Sequence, residues 1–212
     1  MKLYGYFRSS AAYRVRLALN LKGIPHEHVP IHMYRDGGAH KTSAYEEINP
    51  QRLVPTLELD DGKRITQSLA IIEYLDSQFG GPKLIPPDPL LAARVRAVSY
   101  AIACDVHPLN NLRVMNYLKE DLGHSQDQVS TWYSHWIVHG GLDGVEKLVE
   151  PGPFCFGGSP TMADCCLTPQ LFNARRFNVP LDGLDRLIAI DSHCATLPAF
   201  QNAHPSVQVD AE

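Results

Sequence analysis

The stretch Leu53-Val54-Pro55-Thr56-Leu57-Glu58-Leu59-Asp60-Asp61-Gly62-Lys63-Arg64-Ile65-Thr66-Gln67-Ser68 decides how this chain folds. Pro55 has no N–H to give a ladder, so it fits only the first position of a strand over 56–59, or a sheet edge. Val54, held extended by the proline behind it, then offers its own N–H and C=O to something outside the sheet. A cis Val54–Pro55 bond is predicted, with those groups facing a cleft. Asp60-Asp61-Gly62 turns the chain into Lys63-Arg64-Ile65-Thr66 as a hairpin. Gln67 and Ser68 open an apolar helix over 69–79, with Ser68 as its N-cap; the free amides of the first turn and the helix dipole favour a carboxylate. An extended ligand with a peptide-like middle and an anionic end suits both features. Taken alone, Ser68 reads first as a plain helix cap.

Working outward, residues 2–7 alternate as a strand, 11–22 carry apolar residues at helical spacing up to Gly23, and 24–31 read as a second strand. Such a β-α-β unit has parallel strands and a right-handed crossover. Residues 32–49 are polar and irregular, and Gly37-Gly38 marks a loop. The order β-α-β, then β-β-α, is the thioredoxin-like arrangement. Downstream, Gly80-Gly81-Pro82 and Pro86-Pro87-Asp88-Pro89 form a breaker-rich linker, after which no convincing strand follows. Helical periodicity covers 90–118, 126–149, 162–177 and 183–196, and Thr161-Met162-Ala163-Asp164 approximates a capping box. The predicted fold is therefore α/β plus all-α: a thioredoxin-like domain over residues 1–80 and a helical domain over 88–212.

Composition narrows the function. With 212 residues, 44% hydrophobic content and a net charge of −4, the chain has material for a sizeable core and no basic surface for nucleic acid. The opening Met1-Lys2-Leu3-Tyr4-Gly5-Tyr6 turns polar too soon for a signal peptide, and no run approaches a membrane span, so a cytoplasmic protein is expected. Five cysteines, none before residue 104 and none spaced C-x-x-C, disfavour a disulfide scaffold, a metal site and a dithiol redox centre.

Ser9-Ser10-Ala11-Ala12-Tyr13-Arg14-Val15-Arg16-Leu17-Ala18-Leu19 resembles the S-S-C-x-x-R-V-R-[IL]-A-L run of zeta-class glutathione transferases, whose members isomerise maleylacetoacetate and maleylpyruvate. The resemblance extends through Asn49-Pro50-Gln51 before Val54-Pro55, Gln67-Ser68 with the helix after it, His107-Pro108-Leu109-Asn110-Asn111-Leu112, the box at 161–164 and Ala174-Arg175-Arg176-Phe177. It implies a glutathione transferase fold, glutathione as cofactor, a homodimer and a cis–trans isomerase. One departure is informative: the usual cysteine is Ala11 here, so the thiol must come from glutathione. Ser9, with Ser10 a near competitor, is then implied to hydrogen-bond the sulfur at the helix N-terminus, which favours thiolate. Both serines could instead merely cap the helix.

The resemblance further implies that Val54 pairs its backbone with the cysteinyl part of glutathione, that Gln67 and Ser68 hold the γ-glutamyl end, and that His40 meets the glycyl end. His107 and Asn111 reach the bound tripeptide, although a capping or core histidine would explain His107 equally. Arg8 and Arg176 are expected to grip the substrate's carboxylates as planar forks and to stabilise developing charge. Arg113, where the class has a smaller polar residue, is a third substrate contact, or else a solvated or dimer-facing arginine; Arg14 and Arg16 read as structural. Three arginines and the missing cysteine favour maleylpyruvate over maleylacetoacetate. The rivals are a transferase conjugating or dehalogenating small α-halo acids and a non-enzymatic docking module. A glutaredoxin-like oxidoreductase is disfavoured, because no cysteine precedes Cys104.

Overall fold

The computed structural model describes residues 1–212 in two units, 1–85 together with 195–212, and 86–194. The first unit is built on a four-stranded sheet of order β2-β1-β3-β4, formed by β1 (Lys2–Gly5), β2 (Glu27–Pro30), β3 (Thr56–Glu58) and β4 (Arg64–Thr66). β1 runs parallel to β2 and antiparallel to β3, with Leu3 opposite His28 on one side and Leu57 on the other. The β3–β4 hairpin sets Leu57 opposite Ile65 around Asp60-Asp61-Gly62, where Gly62 takes a φ of 82° that few side chains tolerate. The β-α-β, β-β-α order read from the sequence is thus the one observed. The second strand is shorter than expected, four residues from Glu27, after a Pro25 that has no N–H for a ladder.

α1 (Ser10–Leu21) and α3 (Ser68–Gln78) pack together and bury Val15, Leu17, Ala18 and Leu19 along with Ile71, Ile72 and Leu75. A second core gathers Tyr4, Tyr6, Phe7, Tyr45 and Val54 with Val29, Ile31, Met33 and Ile48; Tyr45 comes from the short α2 (Ser43–Glu46). Where α1 ends, the fully buried Lys22 ammonium donates to Asp76 Oδ1 at 3.1 Å and to the Pro82 carbonyl at 3.1 Å. Asp76 also accepts from the N–H groups of Leu84 and Ile85. This buried pair ties residues 82–85 to the first unit, past the expected limit at residue 80.

The division also differs at the other end. Residues 195–212, assigned from sequence to the helical domain, pack with the first unit. The cause is polar: Arg16 Nε donates to the Ala203 carbonyl at 3.0 Å and Asn20 Nδ2 to the Ala199 carbonyl at 3.1 Å, which docks the helix Pro198–Ala203 on α1.

The second unit is wholly helical. α4 (Pro89–Tyr100) starts with Asp88 capping the Leu91 N–H at 2.8 Å and proline at its first position. It widens into a π turn over Ala101–Val106 before α5 (His107–Leu109), so the single helix read over 90–118 is interrupted. Pro108, which cannot donate, and a fresh N-cap at Asn111 account for the break ahead of α6 (Leu112–Asn116). α7 (Gln126–Ile137) opens on a reciprocal Ser125/Gln128 box that the sequence reading missed. A further π turn, Val138–Leu142, leads into α8 (Asp143–Leu148). A Cβ on Gly141 would lie 2.0 Å from Val106 Cγ2, so only glycine lets these two widened turns meet. α9 (Met162–Arg176) and α10 (Asp185–Cys194) complete the unit. Asp164 of α9 is buried and accepts from Cys155 N–H, Thr161 N–H and Thr161 Oγ1 at 2.7, 2.7 and 2.9 Å. Burial raises its pKa and those donors pull against the rise. No helix is long and apolar enough to cross a membrane.

Candidate functional site

The first unit brings seven of the expected residues onto short loops at element ends. The turn after β1 carries Arg8, Ser9 and Ser10: Ser9 N–H donates to the Tyr6 carbonyl at 2.9 Å, and Ser9 Oγ accepts from Ala12 N–H at 3.2 Å. Ser9 therefore caps α1. The cap uses an oxygen lone pair and leaves the hydroxyl proton available to donate, so capping and binding an anion are compatible in one side chain. Ser10 is the first residue of α1 and is buried, whereas Ser9 is half-buried. Arg8, also half-buried, lays its guanidinium 4.7 Å from the centre of the Phe7 ring.

Val54 sits on the predicted cis Val54–Pro55 bond, and no hydrogen bond of the chain takes its N–H or C=O. The residue before it is pinned, with the Leu53 carbonyl accepting from Tyr45 Oη at 2.8 Å and Asn49 Nδ2 at 2.7 Å. An immobilised extended residue with both main-chain groups open is what an incoming peptide-like strand needs.

The start of α3 corrects one expectation. Ser68 is not the N-cap: Gln67 occupies that position, with φ 68° and ψ 116° and no side-chain cap, and Ser68 is the first helical residue. The positive φ at a non-glycine residue is a strained backbone of the kind that collects at functional sites. Gln67 Nε2 donates to Gln51 Oε1 at 2.9 Å, and buried Ser68 Oγ accepts from Arg14 Nη1 at 3.3 Å. Gln51 and Arg14 are thus additions to the site; Asn49-Pro50-Gln51 was visible in the sequence, but nothing there marked its side chain as a partner of Gln67.

His40 lies on the turn Ala39–Lys41, buried, with Nδ1 lacking any partner. Burial lowers its pKa and Lys41 adds to that, so the ring is neutral at neutral pH. Gly38, at φ 96°, makes room for it: a Cβ there would lie 2.6 Å from His40 Cε1 and 2.7 Å from the Met33 carbonyl oxygen.

The second unit holds the other four. His107 begins α5 and is half-buried. Asn111 caps α6 through Oδ1, which accepts from Val114 N–H at 3.2 Å. Arg113 is exposed on α6. At the end of α9 the arginine pair divides its work, because Arg175 donates to Asp191 while Arg176 has no acidic partner. The Arg176 guanidinium stacks 4.4 Å from the Phe177 ring, which itself packs 4.2 Å from Tyr133. Four of the five thiols are poor nucleophiles, since Cys155, Cys165, Cys166 and Cys194 are buried and burial pushes the Cys155, Cys165 and Cys194 thiols up; Cys104 is exposed, on the π turn 101–106 of the second unit.

A thioredoxin-like sheet with an open Val-Pro edge, followed by a helical unit, defines a class. The family model for the glutathione S-transferase N-terminal domain matches residues 3–83 and that for the C-terminal domain matches residues 137–202. The chain belongs to the glutathione S-transferase family. More narrowly, it is 46% identical over 210 residues to the maleylacetoacetate isomerase of Pseudomonas aeruginosa, covering 99% of this chain and 98% of that protein. It is also similar to the holo structure of a maleyl pyruvate isomerase described as a bacterial zeta-class glutathione S-transferase, with a TM-score of 0.95, 40% identity and both chains covered completely. The maleylacetoacetate isomerase of Methylobacterium extorquens AM1, solved with bound malonate and GSH, matches with a TM-score of 0.94 and 36% identity, again over 100% of both chains.

Proposed function

We propose that this protein is a glutathione-dependent cis–trans isomerase of maleyl keto acids, with maleylpyruvate as its substrate. The observation that carries the reading is the pairing of an open Val54 main chain with a cap serine at the α1 N-terminus, in a chain whose first-helix cysteine position is Ala11.

The residues fit glutathione on their own chemistry. Val54 supplies one donor and one acceptor to a peptide group, the buried and unpartnered His40 Nδ1 supplies a polar contact, and Gln67 and Ser68 stand where a carboxylate would meet the amides of α3. Bound glutathione supplies the nucleophile, a thiolate that adds to the conjugated double bond, leaves a single bond free to rotate, and departs once the trans geometry is reached. Ser9 donates its hydroxyl proton toward the sulfur, and the α1 N-terminus adds positive potential; both favour the anion. Arg8 holds a substrate carboxylate, and its guanidinium also favours the charge that develops on the carbonyl oxygen, a role worth about 3 kcal/mol per donor in comparable sites. Arg113 and Arg176 of the second unit are proposed to grip substrate carboxylates, with His107 and Asn111 serving the tripeptide.

The choice of maleylpyruvate rests on the arginine set and Ala11. A cytoplasmic location suits four buried free thiols, which persist in a reducing compartment. A homodimer is part of the proposal and is tested by analytical ultracentrifugation. The deciding assay is turnover of maleylpyruvate and maleylacetoacetate, each with and without glutathione, alongside a model aryl halide. Maleylpyruvate should give the highest kcat/KM and require glutathione. Turnover without the tripeptide, or faster conjugation of the halide, overturns the isomerase; preference for maleylacetoacetate overturns only the substrate.

A further inference from the structure

Segment 204–212 closes over the turn that presents Ser9. Asp210 Oδ2 accepts from Phe7 N–H at 3.0 Å, while the Phe7 carbonyl accepts from Arg16 Nη2 at 2.9 Å. Both main-chain groups of Phe7 are thus held, two residues ahead of Ser9, and the Ser9 N–H to Tyr6 carbonyl bond closes the same turn. The other Asp210 oxygen lies 3.1 Å from His28 Nε2, with both side chains under a tenth exposed. Arg16 is the other jaw. Burial pushes its pKa down to about 10, and Tyr13 and Asp210 pull it back, so the carboxylate also keeps this guanidinium charged.

Asp210 is itself fixed from beyond. His32 Nδ1 accepts from the N–H groups of Tyr34 and Arg35, so its proton sits on Nε2, which donates to Glu212 Oε1 at 2.9 Å. Arg35 Nη2 pairs with the same oxygen at 2.5 Å. With Glu212 anchored to the loop 32–35 and Asp210 to Phe7, residues 210–212 are tied to the first unit at both ends.

We propose that Asp210 is a positioning residue for the thiolate: by gripping Phe7 N–H it sets where the Ser9 hydroxyl points. The inference rests on the proposed role of Ser9 and adds to it a residue far away in sequence. A buried acceptor that served only to satisfy Phe7 would affect stability and leave the sulfur's ionisation alone.

The test titrates the ultraviolet thiolate absorbance of bound glutathione in the full-length protein and in Ser9→Ala, Asp210→Ala and the double variant. Ser9→Ala should raise the pH of half-maximal thiolate by about one unit, a tenfold loss of thiolate at fixed pH. Asp210→Ala should raise it in the same direction by roughly half a unit or more, and in the Ser9→Ala background it should add nothing, because coupled residues are not additive. If Ser9→Ala shifts the titration and Asp210→Ala does not, or if the two shifts add, the positioning role is wrong and the serine reading stands. If Ser9→Ala leaves the titration unchanged, both fall. Should Asp210→Ala not accumulate as folded protein, Asp210→Asn replaces it: the neutral oxygen still accepts from Phe7, but more weakly, so a smaller shift that vanishes without Ser9 is expected, and an unchanged titration refutes the proposal.

Discussion

Replacing Asp164 by alanine removes one carboxylate and leaves three donors behind. The side chain is fully buried; Oδ1 serves Cys155 N–H, and Oδ2 serves both Thr161 N–H and its hydroxyl. The hydroxyl can rotate to another acceptor, but the two amides cannot. A buried donor without a partner costs about 1–3 kcal/mol, so the two amides together cost roughly 2–6 kcal/mol. For a chain of this size each kcal/mol moves Tm by about 2–4 °C, which gives a fall of roughly 4–24 °C. Against a total stability of about 5–15 kcal/mol, that is a large share. Asp164→Asn should fall between parent and alanine, because an amide keeps one acceptor oxygen and turns an NH2 toward the remaining donors. The assay is urea unfolding with far-ultraviolet circular dichroism, supported by a thermal melt. An Asp164→Ala variant within about 1 kcal/mol of the parent, at unchanged m-value, would refute the claim that these bonds hold the loop 155–161 to α9.

Ser9→Ala should lower kcat/KM in step with the lost thiolate, about tenfold near neutral pH, and recover at high pH; a loss that stays constant with pH would count against the serine. Arg176→Ala should cut turnover of the keto acid about tenfold to a hundredfold while the KM for glutathione stays within about twofold, and equal losses in both would contradict a substrate role. Gly38→Ala puts a Cβ against His40 and the Met33 carbonyl, so the loop must shift and the KM for glutathione should rise roughly tenfold with little change in kcat. An unchanged KM there would remove His40 from the tripeptide site.

What the sequence disclosed, it disclosed through residues with few conformational options. Pro55, the Asp60-Asp61-Gly62 turn and the Gly80–Pro89 breakers marked the second strand pair and the start of the helical unit, because each excludes most backbone geometries. The π turns over Ala101–Val106 and Val138–Leu142, and a third over Tyr117–Asp121, were not legible: a widened turn keeps apolar residues near helical spacing, and Gly141 against Val106 marks only where the first two meet. The docking of residues 195–212 on the first unit depends on main-chain acceptors such as the Ala203 carbonyl, which leave no mark on residue identity. Motif alone marked Ser9, Val54, Gln67 and Ser68 as site candidates. The cap of α3 departs from the expected Ser68 because serine's preference for that position is an average, and here the backbone of Gln67 turns the chain instead. Gln51 and Arg14 escaped because their partners lie across the fold.

The Lys22–Asp76 pair has a consequence for how the first unit comes apart. Peeling residues 82–85 away would leave the two charges paired with each other but take the Pro82 carbonyl from the ammonium and the Leu84 and Ile85 amides from the carboxylate, at about 1.5–3 kcal/mol for each hydrogen bond to a charged group. Fraying from that side is therefore suppressed: the stretch 82–85 melts together with α1 and α3 as one cooperative block, and its amides should exchange with deuterium as slowly as those of the helices it caps.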